Sequence, residues 1–169
     1  GGLSGMASLT VFIVHKLASI APPYAIMAAD GWGYDAVQGN DVHINAESRF
    51  NYAINCDSSG YGSTFLTSDT PQIDEILDTN GDYQLFLNGA PNGSESGTRA
   101  GQLKSLDSFQ IGAWNAWGTN QRFLDGSIGE ILVYTRALGT AERQAVGVYL
   151  KRKWGLSSSM YRMPVTVLP

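Results

Sequence analysis

The chain has 169 residues, a size for one domain and hardly two, and large enough to bury a core without a disulfide or metal staple. Hydrophobic residues make up 43% and charged residues 15%, against a usual charged share of about 25%, which excludes an intrinsically disordered chain. Lys plus Arg number 11 and Asp plus Glu 15, so the net charge of -4 gives no basic face for a nucleic-acid backbone. One cysteine, Cys56, excludes an internal disulfide and any multi-cysteine zinc site. The most apolar stretch, Leu17 to Ala29, is broken by Ser19 and Pro22-Pro23, so no membrane-spanning helix is expected. No basic, then apolar leader opens the chain, which suits a start after processing or inside a larger protein.

In chain order, Leu9 to His15 is β-branched and aromatic and apolar on both faces, the pattern of a central strand. Tyr24 to Ala29 reads as a second strand after the Pro22-Pro23 break, and Asp30 to Asp35 as a loop or tight hairpin. Val42, Ile44 and Ala46 alternate with His43, Asn45 and Glu47; Phe50, Tyr52 and Ile54 repeat the alternation. Tyr61 to Thr67 is read as a strand; Ile73 to Leu77 is ambiguous by pattern, with strand favoured over a helical turn. Asn80-Gly81, inside Asp78 to Asp82, predicts a tight hairpin leading into Tyr83 to Leu87, which ends at Asn88-Gly89. Ala90 to Gly101 reads as a loop, Phe109 to Gly112 as a strand, Trp114 to Asn120 as an aromatic loop, and Ile128 to Thr135 as a long strand.

The period then changes. Ala145, Val146, Tyr149, Leu150, Lys153 and Trp154 recur at helical spacing, which predicts an amphipathic helix over Ala141 to Trp154. Thr140 is the expected cap and Gly155 the stop. Glu142 sits in the first turn and Lys151-Arg152-Lys153 in the last, as the helix dipole favours. Val165 to Leu168, between Pro164 and Pro169, is a candidate last strand. Many short strands without interleaved helices argue a β-sandwich.

The run Phe123 to Leu138, with Gly129-Glu130-Ile131-Leu132-Val133-Tyr134 at its centre, resembles the closing motif of laminin-G-like domains of the concanavalin A-like lectin/glucanase superfamily. Glu142-Arg143, Tyr149-Leu150 and Lys153-Trp154-Gly155-Leu156 are similar to the helix that follows it in a bacterial and viral branch. Leu9 to His15 and Tyr83 to Gly89 agree with earlier strands of that pattern, while the middle matches loosely. The resemblance implies an all-β fold: a jelly-roll β-sandwich of two antiparallel sheets with one C-terminal amphipathic helix, as a single domain over residues 1–169. Such domains often bind glycans or proteins as non-catalytic modules at a cell surface, on a virion or outside the cell. Only eight residues precede Leu9, where this branch carries a further strand, so the tail 157–169 or another chain would supply it. Within the motif, Glu130 and Arg136 are expected to pair, Ile131, Val133 and Leu138 to be core, and Trp154 to plug the gap between helix and sheet.

Glycoside cleavage needs two carboxylates about 5 or about 6.5–9.5 Å apart. The "E-x-D-x-x-E" strand of the superfamily's catalytic members is missing; Glu47, Asp74-Glu75 and Glu95 are isolated or turn-like. His15 and His43, the only histidines, sit in predicted strands with no motif around them. No enzyme is expected. Sugar recognition needs flat aromatic faces beside short polar side chains. Trp114, Asn115, Trp117 and Asn120 supply both, as do Trp32 and Tyr34 in an earlier loop, although packing at the rim is the commoner role of a tryptophan and outweighs binding here. Asp78, Asn80 and Asp82 have the alternate spacing that opens a calcium loop, but the twelfth position is Gly89 and a plain β-turn competes. Asp30, Asp35 and Asp41 form a looser group.

The function expected is a carbohydrate-binding or adhesion module, with a glycan or surface protein as partner. The alternative is a structural or assembly protein acting through sheet edges or the C-terminal tail, on a copy of itself or a neighbouring chain. Neither nucleic-acid binding nor membrane insertion is expected.

Overall fold

The computed structural model describes residues 7–20, 24–29, 40–44, 49–54, 58–95, 109–116, 119–121, 123–157 and 159–161. Sheet A contains, in spatial order, β12 (Gly126–Tyr134), β1 (Ser8–Leu17), β6 (Gln72–Thr79), β7 (Asp82–Leu87) and β8 (Ala90–Glu95). Sheet B contains β5 (Ser58–Phe65), β4 (Arg49–Ile54), β3 (Asn40–Ile44), β2 (Tyr24–Ala29) and β9 (Phe109–Ile111). A small hairpin pairs β10 (Trp114–Ala116) with β11 (Thr119–Gln121), and α1 (Thr140–Lys153) follows β12. The ladders are antiparallel throughout. This is the expected jelly-roll-like β-sandwich with one C-terminal helix among the described residues.

β1 is buried on both faces because two cores meet on it. Leu9, Val11, Ile13 and Leu17 join Ile26, Phe50, Ile76, Tyr83 and Leu85 between the sheets. Phe12 and Val14 join Ile73, Leu138, Val148, Leu150, Met160 and Tyr161 beneath the helix. Odd and even positions of one strand thus serve different layers, which removes the polar alternation of a one-sided strand.

Two hairpins of sheet A turn on Asn-Gly pairs. Asn80 and Gly81 have φ of 54° and 100°, Asn88 and Gly89 of 54° and 86°, the left-handed pairs that a two-residue turn requires. The second turn corrects the sequence reading, because the supposed loop after Gly89 begins with strand β8. Its polar residues suit an edge. Asn92 is buried there, and its Oδ1 accepts the Thr64 N–H at 2.8 Å and the Ser63 hydroxyl at 3.3 Å, tying β8 to β5 of the other sheet. Gly62 makes room for it, since a Cβ there would stand 2.5 Å from Asn92 Nδ2.

The helix departs from expectation in its capping and its face. Gly139, and not Thr140, is the N-cap; its N–H is taken by the Glu142 carboxylate at 2.9 Å. Gly155 (φ 62°) stops the helix as expected, with Leu156 N–H on Lys151 O at 2.9 Å and Gly155 N–H on Arg152 O at 3.4 Å. The buried positions are Arg143, Gly147, Val148 and Leu150, while Ala145 and Tyr149 face solvent. The seam selects a long cation and a glycine because it encloses a carboxylate and an aromatic ring, so a purely apolar stripe misplaces the face. Trp154 is no plug. It is 41% exposed, lies on Gly129 and donates Nε1–H to Glu130 at 2.9 Å. Glu130 therefore pairs with Lys153, at 3.0 Å, and Arg136 with Glu142, at 2.6 Å, in place of the expected Glu130–Arg136 contact. Leu138 belongs to the core beneath the helix and Ile131 packs against the core between the sheets, but Val133 is exposed on the outermost strand of sheet A. The tail strand at Val165 to Leu168 and Cys56 lie outside the described residues.

Candidate functional site

The helix and the segment through Tyr161 cover the outer face of sheet A. Among the described residues no element covers the outer face of sheet B. Phe50 is buried between the sheets and pairs with Ile44. By the two-residue pleat Arg49, next to Phe50, lies on the opposite, outer face; register sets His43 against Asn51 and Asn51 against Tyr61, and Asp41 against Ala53 and Ala53 against Ser59. Asp41 pairs in turn with Ala28, and Ala28 with Gln110 on β9. On the same face the Arg49 guanidinium stacks over Phe65, 5.6 Å from the ring centroid, and Phe65 is 62% exposed.

The β10–β11 hairpin grows from the β9 edge of this sheet. Gly112 prolongs the ladder by donating its N–H to Ile26 O at 2.9 Å, and Gly112 O accepts Leu124 N–H at 2.8 Å where the chain returns. The segment read as an aromatic loop is thus a paired hairpin, with Trp114 opposite Gln121 and Asn115 opposite Asn120. Trp117, Trp32 and Tyr34 lie outside the described residues, as do Asp30 and Asp35. Asp41 lies on β3.

The Asp78–Asn80–Asp82 group is spent on the turn itself. Asp78 is fully buried and its Oδ1 accepts the Gly81 N–H at 2.9 Å, while Asn80 N–H donates to Ser8 Oγ at 3.2 Å. Asp82 starts β7 opposite Thr79. No group of three or more His, Cys, Asp or Glu that could hold a metal ion occurs among the described residues.

The structure also corrects the reading of Asp74-Glu75 as isolated or turn-like. Both lie on central strand β6 and point to opposite layers. Asp74 faces His15 inside the sandwich, with Oδ2 2.5 Å from Nε2, and burial raises its pKa against the opposing effect of His15. Glu75 faces the helix. Its Oε1 is 3.0 Å from Arg143 Nε and its Oε2 accepts the Tyr161 hydroxyl at 3.1 Å. The Arg143 guanidinium lies 3.9 Å from the Phe86 ring centroid. Burial lifts the Glu75 carboxyl to about 7, with Arg143 and Tyr161 opposing, and burial with Glu75 raises the Tyr161 phenol. The missed signal was parity: His15 continues the inward series Leu9, Val11, Ile13, so it had to find a buried partner.

No family model and no curated protein matches the sequence. Solved structures do match. A heptameric SAP-like pentraxin from Limulus polyphemus superposes with a TM-score of 0.67 at 16% identity, over 84% of this chain and 70% of that one. NanB sialidase from Streptococcus pneumoniae gives 0.67 at 15% identity, over 83% of this chain but 24% of the enzyme. The CBM40 module of the Ruminococcus gnavus IT-sialidase, bound to α2,6 sialyllactose, gives 0.65 at 17% identity, over 85% of this chain and 84% of the module. At these identities the likeness establishes architecture alone: the chain shares with these proteins a jelly-roll-like β-sandwich.

Proposed function

We propose that the chain is a non-catalytic carbohydrate-binding module of laminin-G-like type, acting outside the cell or at a surface. The glycan lies across the outer face of sheet B, beside the β10–β11 hairpin. The observation that carries this reading is the outer face of sheet B, which no element covers among the described residues and on which Arg49 lies beside the exposed Phe65 ring. The exposed Phe65 ring can receive the apolar face of a sugar, and the Arg49 guanidinium can donate to its hydroxyls. The sialyllactose-bound module of the same fold supports it. The buried acids Asp74, Glu75 and Asp78 are each engaged by protein groups, which favours binding over hydrolysis. A glycan array that includes sialylated and neutral oligosaccharides tests the reading. Trp114→Ala/Trp117→Ala is expected to lower affinity at least about tenfold. Binding that is unchanged in this variant removes the hairpin from the site, and an array without any hit removes the function.

A structural or assembly role is the second reading. Ile111, Phe123 and Val133 are exposed near β9 and β12, the outermost strands on the side of the sandwich away from the Asn92 tie. Such edges pair with strands of other chains. Light scattering after size exclusion decides it: a strict monomer at high concentration counts against it.

A further inference from the structure

The helix side of the sandwich holds a groove remote from the open face of sheet B. Where the last residues of β1 run beside the first of β12, a cleft of about 260 Å³ is lined by Val14, Lys16, Pro71, Ser127, Trp154 and Leu156, among others. A second recess of about 290 Å³ adjoins it through the shared residues Lys16 and Ser127, and is lined by Asp69 and Asp125. One half of the groove is therefore an apolar, aromatic wall and the other presents carboxylates.

The aromatic wall is fixed in advance. Gly129 lets the Trp154 indole lie flat on β12; a Cβ there would stand 3.2 Å from the ring. The bond from Trp154 Nε1 to Glu130 at 2.9 Å sets the rotation of the ring, and Lys153 holds the same carboxylate. An aromatic surface that needs no ordering on contact is what a weak, shallow ligand requires. His15, buried within the sandwich, also lines the cleft. Its Nδ1 has no hydrogen-bond partner among the described residues.

We propose that this groove is a second carbohydrate site, for a neutral disaccharide, with one ring on Trp154 and Pro71 and the hydroxyls of the next on Asp69 and Asp125. Each half falls just short of the roughly 300–1,000 Å³ of drug-sized pockets, so each suits one ring. The carboxylates accept bonds from hydroxyls and repel acidic sugars; Lys16 is already engaged by Asp69, at 3.4 Å. The site stands on its own, whatever the outer face of sheet B binds. Together the two would make the module bivalent, with ligands on opposite sides of the sandwich.

The test is NMR titration of the full chain with lactose, cellobiose, maltose and N,N′-diacetylchitobiose, with sialyllactose as the acidic control. At least one neutral disaccharide is expected to move the Trp154 indole N–H and the Gly129 amide, and sialyllactose to leave both in place. Ser127→Tyr fills the shared wall from an exposed position and should weaken the response about tenfold; Asp125→Asn should weaken it less. Silence of Trp154 toward all four neutral sugars, or a response that survives in Ser127→Tyr with unchanged affinity, overturns the proposal. The β10–β11 amides report the other site separately, so failure of one reading is not mistaken for failure of the other.

Discussion

Tyr161 and Glu75, 86 residues apart in sequence, meet inside the seam between sheet A and the helix, where the phenol donates to Glu75 Oε2 at 3.1 Å. Three features hold the ring in place. Gly147 of the helix leaves the space it fills, Gly89 of the β7–β8 turn flanks it, and Lys151 Nζ binds the carbonyls of Met160 and Tyr161 at 2.8 and 3.2 Å. Tyr161 adopts φ 44° to reach this position. A non-glycine residue in that region is uncommon, and here packing and hydrogen bonds over-determine it.

Gly147→Ala should therefore destabilise the protein although alanine is the better helix former. The added methyl would overlap the Tyr161 ring, and overpacking of this kind costs about 1–3 kcal/mol. Urea unfolding of the variant measures it. A variant as stable as the wild type, or more so, would show that Tyr161 does not occupy the seam.

Glu75 makes stability depend on pH in an uncommon direction. Its carboxyl is raised from 4.5 to about 7 in the folded chain, so the native state holds a proton that the unfolded state has released. That contribution is complete below about pH 4.5 and is lost as pH rises through 7. The full change is on the order of 3 kcal/mol. Asp74, also raised by burial, acts in the same sense. Glu142, lowered to about 2 by Arg136 and the Gly139 N–H, acts oppositely and only below pH 4.5. Unfolding free energies between pH 4.5 and 7.5 should fall for the wild type and fall less for Glu75→Gln. Parallel curves for the two proteins would refute the assignment.

The His15–Asp74 pair predicts a large coupling. Either His15→Leu or Asp74→Leu leaves a polar group buried without its partner, a loss of about 3–5 kcal/mol. The double variant replaces both by apolar groups and should cost less than the sum of the single changes by at least about 1 kcal/mol. Additive losses would mean that the two side chains do not interact.

Local rules account for much of the molecule. β-branched runs, alternation and Asn-Gly turns set most strands to within a few residues, because each depends on neighbours a few positions away. The helix's extent and its stop at Gly155 followed from spacing and local turn chemistry for the same reason, although its N-cap and buried face did not. The strand after Asn88-Gly89 was illegible because a polar edge strand has the composition of a loop until its partner is known.

By itself the sequence determined the class of the protein: an all-β sandwich closed by one late helix, with aromatic and amide residues gathered near its turns. Only the tertiary structure decided which polar residues the interior consumes. Asp78 went to a turn, Asp74 to His15, and Glu75 to Arg143 and Tyr161, while Trp154 was left on the surface beside a groove. The physical reason is that a buried charge needs a partner, and these partners come from strands and a helix tens of residues away, where no local pattern can name them.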